Sequence, residues 1–123
     1  MPESQIKTIF VVDDESIIAS TLAMILNASG YRAASSTSAE EAIKAAELDA
    51  PDLLLTDVSM PGMNGIELAI LFNSHCPTCK VLLFSGALST AGLLENAKQL
   101  GYNFKILAKP IHPRDMLAAV GGC

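Results

Sequence analysis

Four continuous apolar runs, at residues 9–12, 53–55, 81–84 and 106–108, constrain the fold of this chain more than any other feature. None of them alternates apolar with polar residues. A strand buried on both faces reads this way, and parallel sheets bury both faces. Residues 31–35 form a weaker fifth run, expected nearer an edge. Between the runs lie helical patterns. Residues 16–29 place Ile18, Leu22, Ile25 and Leu26 on one face and stop at Gly30. Ser38, with Glu41 three residues on, forms a capping box that opens a helix expected to reach Leu48. Residues 65–74 carry Ile66, Ala69 and Ile70, and residues 90–100 carry Leu93, Leu94, Ala97 and Leu100 before Gly101. Pro113 suits the first turn of a last helix running through Met116, Leu117 and Val120.

Strand followed by helix, five times over, defines an α/β chain with a parallel sheet and helices on both faces. Right-handed crossovers make this a doubly wound fold. For five strands the flavodoxin-like order 2-1-3-4-5 is expected. With 123 residues, half of them hydrophobic, the chain is expected to fold as one domain, residues 1–123.

The apolar runs are far shorter than the 18 or so residues of a membrane span. Residues 1–7 are polar and lack the apolar core of a signal peptide, so a cytoplasmic location is expected. The three cysteines agree with that. The net charge of −5 leaves no basic footprint for direct nucleic-acid binding.

The residues that end each run carry the chemistry. Asp13 and Asp14 follow the first strand, Thr56 and Asp57 end the third, Ser85 ends the fourth and Lys109 follows the fifth. In an open parallel sheet these positions share the carboxyl edge, where ligands bind beside the point of strand-order reversal. Three neighbouring carboxylates repel one another. A divalent cation relieves this, and an all-oxygen, hydrated site suits Mg²⁺. Three carboxylates, one Mg²⁺ and the Lys109 ammonium sum to zero charge. Phosphoryl transfer asks mainly for positioning and charge stabilisation. Asp57 is then the nucleophile, Asp13 and Asp14 hold the metal, and Lys109 and the Ser85 hydroxyl meet phosphoryl oxygens.

The chain resembles the receiver domains of two-component response regulators over essentially its whole length. Residues 11–15 (Val-Val-Asp-Asp-Glu) resemble the opening acidic motif of that family, and residues 56–65 its phosphoacceptor strand and following loop. Residues 84–87 resemble its switch-hydroxyl segment and Lys109-Pro110 its lysine–proline pair. The resemblance implies a histidine kinase or phosphotransfer protein as donor to Asp57. It implies Mg²⁺ bound by Asp13, Asp14, Asp57 and the Ser59 main-chain carbonyl, and a cis peptide at Lys109-Pro110. It also implies a regulatory role rather than an enzyme's, with catalysis confined to the domain's own phosphorylation and dephosphorylation. Signal would leave through the face of the fourth helix, fifth strand and fifth helix, where two copies could pair. One position departs from the pattern: Ile106 stands where the family often has an aromatic ring, with Tyr102 and Phe104 at shifted spacing. Ile106 is therefore given no signalling role. Ala87, two residues after Ser85, is too small to orient a water.

Three other readings of the residues stay open. An aspartyl-phosphate phosphatase often carries a second acid two residues after its nucleophile, where this chain has Ser59. A flavin protein of the same fold would want a Ser-, Thr- or Gly-rich phosphate loop in place of Asp13-Asp14-Glu15. A degenerate receiver would mediate contacts alone. Cys76-Pro77-Thr78-Cys79 closes a helix rather than opening one, so a turn with semi-buried thiols is expected, not a thioredoxin-like centre or, with His75, a zinc site. Cys123 is expected to be mobile, His112 to sit at a helix entrance, and Met60 and Met63 to pack the loop after Asp57.

Overall fold

The computed structural model describes residues 6–86 and 90–123, so Ala87 lies outside the described residues, as do the side chains of Leu93 and Leu94. Strands and helices alternate in the order β1 (Thr8–Val12), α1 (Ser16–Ala28), β2 (Arg32–Ser36), α2 (Ala39–Leu48), β3 (Leu53–Asp57), α3 (Gly65–His75), β4 (Lys80–Ser85), α4 (Thr90–Gln99), β5 (Lys105–Ala108) and α5 (Pro113–Gly121). The five strands form one sheet in the order β2-β1-β3-β4-β5, every adjacent pair parallel. This is the expected doubly wound fold.

The period-2 geometry of a strand divides each apolar run between two layers. Ile9, Val11, Leu53, Leu55, Leu82 and Phe84 face the side covered by α1 and α5, where Leu22, Leu26, Met116 and Val120 pack. Phe10, Val12 and Leu54 face the other side, against Ala39 and Ala42 of α2 and Leu68 and Phe72 of α3. Leu83 meets Ile66, Ala69 and Ala97 on that side, extending the layer to α4. Leu53, Leu54 and Leu55 are each wholly buried. Burial of a leucine is worth about 1.5–3 kcal/mol, so both layers hold the acidic end of β3 in place.

Several expectations are corrected. The run at 106–108 is not buried on both faces. β5 is the outer strand of the sheet, paired on one side only, and Ile106 is 39% exposed. Leu100 is 72% exposed, since α4 ends at Gln99 and the chain turns away. The inner face of α1 is centred on Ala19, Leu22, Ala23 and Leu26, with Ile18 and Ile25 at its margins. Ser38 does cap α2, its hydroxyl accepting from the Glu41 N–H at 3.1 Å. The box is not closed, because the Glu41 carboxylate accepts from the N–H and hydroxyl of Thr37 at 2.7 and 3.0 Å instead. The complete box sits on α3: Asn64 Oδ1 accepts from the Glu67 N–H at 2.9 Å, and Glu67 Oε1 from the Asn64 N–H at 3.0 Å. Cys123 is half-buried, its thiol donating to the Ala119 carbonyl at 3.2 Å. His112 caps α5, with Nδ1 accepting from the Arg114 N–H at 3.1 Å. Met60 and Met63 pack against the α2–α3 layer.

Candidate functional site

Parallel register carries the chemistry-bearing residues to one edge. Val12 pairs with Thr56, Asp57 with Phe84, and Ser85 with Ala108, so Asp13, Asp57, Ser85 and Lys109 leave neighbouring strands side by side. The Lys109 ammonium stands between two carboxylates, 3.0 Å from Asp13 Oδ2 and 3.2 Å from Asp57 Oδ2. Its backbone N–H donates to the Ser85 carbonyl at 3.0 Å, and its ammonium lies 5.2 Å from the centre of the Phe84 ring. A partly desolvated cation over a ring gains roughly 1 kcal/mol. The Lys109-Pro110 peptide is cis, as the family resemblance implied.

The acids differ in exposure. Asp13 is fully buried, Asp57 is 5% exposed and Asp14 is open to solvent. The second oxygen of Asp13 accepts from the Glu15 N–H at 2.9 Å. One carboxylate oxygen from each of Asp13, Asp14 and Asp57 lies within 4.8 Å of the other two. An oxygen-only donor set, closed on the protein side by Asp13 and open on the Asp14 side, fits a hard cation that keeps part of its water shell, which describes Mg²⁺.

Burial pushes the Asp57 carboxyl above its ordinary value. The hydrogen bond and charge of Lys109 oppose this, the charge of Asp13 adds to it, and the Ser59 backbone N–H opposes it weakly. For Lys109, burial pulls the ammonium down, but the hydrogen bonds and charges of Asp13 and Asp57 win and its pKa is raised. Lys109 is thus a fixed cation throughout the physiological range. Because the folded-state pKa of Asp57 is raised, its ionisation opposes folding, and stability is lost as pH rises from the ordinary carboxylate value through the folded one. Asp57→Asn removes that ionisation. Without divalent cation at neutral pH, the variant is expected to unfold at a temperature equal to or above that of the parent, with a flatter pH dependence between pH 4 and neutrality. Thermal melts read by circular dichroism across that range check this.

Two contributors were not singled out from the sequence. Phe84 supplies the ring under Lys109. Gly65 opens α3 directly beneath the acidic strand, where a Cβ would stand 1.9 Å from the Asp57 carbonyl oxygen. The signal for Gly65 was present as a glycine at the first position of a helix, where glycine is otherwise a poor choice. Tyr102 and Phe104 stack with centroids 5.6 Å apart and pack on the α3–α4 layer with Leu83 and Ala97. Ser59 is exposed, and Ser85 is almost wholly buried.

Residues 9–121 match the response regulator receiver domain family, and the chain belongs to it. It is a regulatory domain of two-component signalling. The chain is 36% identical over 117 residues to the alkaline phosphatase synthesis transcriptional regulatory protein PhoP of Bacillus subtilis, covering 93% of this chain and 47% of that regulator. It is 30% identical over 111 residues to the response regulator receiver protein CpdR of Brucella abortus, covering 90% of this chain and 91% of that one. Among solved structures, TrrA of Thermotoga maritima in complex with Mg²⁺–BeF superposes with a TM-score of 0.78 at 25% identity, covering 93% of this chain and 96% of that one. The chain thus spans about half or less of the first transcriptional regulators it matches.

Proposed function

We propose that Asp57 accepts a phosphoryl group from a phosphohistidine of a histidine kinase or phosphotransfer protein, and that this switches a protein-binding face. The observation that carries the reading is the Lys109 ammonium bridging Asp13 and Asp57 at 3.0 and 3.2 Å, beside Asp14, at the carboxyl edge of the sheet. Asp13, Asp14, Asp57 and the Ser59 main-chain carbonyl would hold Mg²⁺. Bound there, Mg²⁺ would neutralise the acidic cluster and take up phosphoryl oxygens. The Thermotoga relative was crystallised in complex with Mg²⁺–BeF, which supports Mg²⁺ as the cation.

The remaining steps belong to the chain's own residues. An Asp57 carboxylate oxygen attacks phosphorus, the P–O bond forms, the P–N bond to imidazole breaks, and the leaving imidazole takes a proton. Lys109 turns from Asp57 to the arriving phosphoryl oxygens while keeping Asp13. The Ser85 hydroxyl donates to another of those oxygens. Water later hydrolyses the acyl phosphate, so the domain catalyses only its own phosphorylation and dephosphorylation. Asp57 passes from one negative charge to roughly two, and the added acceptor oxygens draw Ser85 inward. The α4–β5–α5 face then changes arrangement and can meet a partner or a second copy.

Residues 1–123 act as a single domain in the cytoplasm, with no membrane contact and no direct nucleic-acid contact. Among the described residues, no helix is long and apolar enough to cross a membrane. The acidic balance of the chain is what argues against direct contact with nucleic acid.

Amide chemical shifts followed by NMR test the metal site. Mg²⁺ is expected to move the signals of Asp13, Asp57, Ser59 and Lys109, and beryllofluoride to move Ser85 in addition. Asp13→Asn should weaken Mg²⁺ by about tenfold or more, since charge-assisted contacts are worth about 1.5–3 kcal/mol. Equal Mg²⁺ affinity in the two proteins would remove Asp13 from the site.

A further inference from the structure

The turn between α3 and β4 carries two thiols that the phosphoryl site does not use. Cys76 caps α3, and Cys79 immediately precedes β4. The Cys79 N–H donates to the Cys76 carbonyl at 2.9 Å, closing a four-residue turn. Such a turn brings its end Cα atoms within about 7 Å. Disulfides span Cα separations of about 4.4–6.8 Å. The Cys79 thiol donates to the Lys80 carbonyl at 3.4 Å, and Cys76 is near enough to help raise its pKa. Both thiols are free.

We propose that Cys76 and Cys79 form a reversible redox pair, which a peroxide closes to an intramolecular disulfide joining the end of α3 to the start of β4.

The two thiols divide the work by their surroundings. Cys76 is half-buried and lines a cavity of about 340 Å³ with Ile43, Phe72 and His75, so a small oxidant can reach it. Cys79 is only 4% exposed, packed in the layer of Phe10, Leu54 and Phe72. Burial, and then the neighbouring Cys76, push the Cys79 thiol up to about 12, so it is inert toward outside reagents. Cys76 as thiolate attacks one peroxide oxygen, the O–O bond breaks, and the departing hydroxide takes a proton to become water. Cys76 is then a sulfenic acid. Cys79 gives up its proton and attacks the Cys76 sulfur, the S–O bond breaks, and a second water leaves. Two electrons pass from the thiols to the peroxide. A dithiol reductant returns them and restores both thiols. Cys123 does not compete, because it packs on the α1–α5 side of the sheet and Cys79 on the other. His75 does not convert the pair to a metal site, since among the described residues the one tight group of metal-ligating side chains is Asp13, Asp14 and Asp57.

The test treats the full chain and its Cys123→Ser variant with hydrogen peroxide at neutral pH, then denatures and alkylates them. A product two hydrogens lighter, unalkylated at Cys76 and Cys79 and restored by dithiothreitol, is expected in both. Cys76→Ser, at a half-exposed position, should abolish it, and Cys79→Ala should leave Cys76 over-oxidised. Cys79 fully alkylated beside a sulfinic Cys76 in the parent would overturn the proposal. So would a Cys76-linked dimer as the main product.

Discussion

Gly65→Ala is expected to lower stability by about 3 kcal/mol, at the upper end of what inserting one methyl into a packed site costs. The Cβ would stand 1.9 Å from the Asp57 carbonyl oxygen and 2.8 Å from its carbonyl carbon. These are backbone atoms, so no side chain can swing aside. The Gly65 N–H donates to the Val58 carbonyl at 2.9 Å, which pins α3 to the end of β3. Relief requires α3 or the acidic strand end to move. Chemical denaturation should show the loss, and phosphoryl acceptance should fall with it because Asp57 shifts. Stability within 1 kcal/mol of the parent would mean that α3 has freedom this geometry denies it.

Lys109→Met is the second large effect. It leaves Asp13 and Asp57, both buried, facing each other without their shared cation. Removing one partner of a fully buried pair costs about 3–5 kcal/mol. The Lys109 side chain is 20% exposed, so solvent screening reduces this to about 2 kcal/mol at neutral pH. The sign with pH follows from Asp57. Its folded pKa is already raised, and losing Lys109 raises it further, so the variant should regain stability as pH falls toward the ordinary carboxylate range. Mg²⁺ should restore it at constant pH, by about 2.7 kcal/mol at a hundred times its dissociation constant. Denaturation curves at neutral and mildly acid pH, with and without Mg²⁺, separate these effects. A deficit that neither acid nor Mg²⁺ relieves would show that Lys109 acts through packing.

The site was legible because each of its residues is the polar group at the end of an apolar run, and a parallel sheet has a single carboxyl edge. Asp13, Asp57, Ser85 and Lys109 could be placed together before any distance was known. What stayed hidden depends on neighbours rather than on pattern. Residues 106–108 are as apolar as the central runs, yet β5 has one neighbouring strand instead of two, and Ile106 is left partly open. The capping box at Ser38 and Glu41 has the right spacing, but Thr37 offers two donors to the same carboxylate and takes it. Asn64 and Glu67 have the same spacing with nothing to divert them. Cys123 lies one turn beyond Ala119 on the inner side of α5, so its thiol packs although it ends the sequence. The Phe84 ring beneath Lys109 depends on a chain crossing that spacing along the sequence does not record.

The central claim is that Asp57 itself accepts the phosphoryl group, with Lys109 and the acidic cluster arranged around it. Intact-mass spectrometry after incubation with acetyl phosphate and Mg²⁺ tests it most directly, because Asp57→Asn keeps the shape of the site and is expected to keep its stability. The account expects one phosphoryl group on the parent chain, none when Mg²⁺ is withheld, and none on Asp57→Asn. Equal labelling of parent and variant would contradict it.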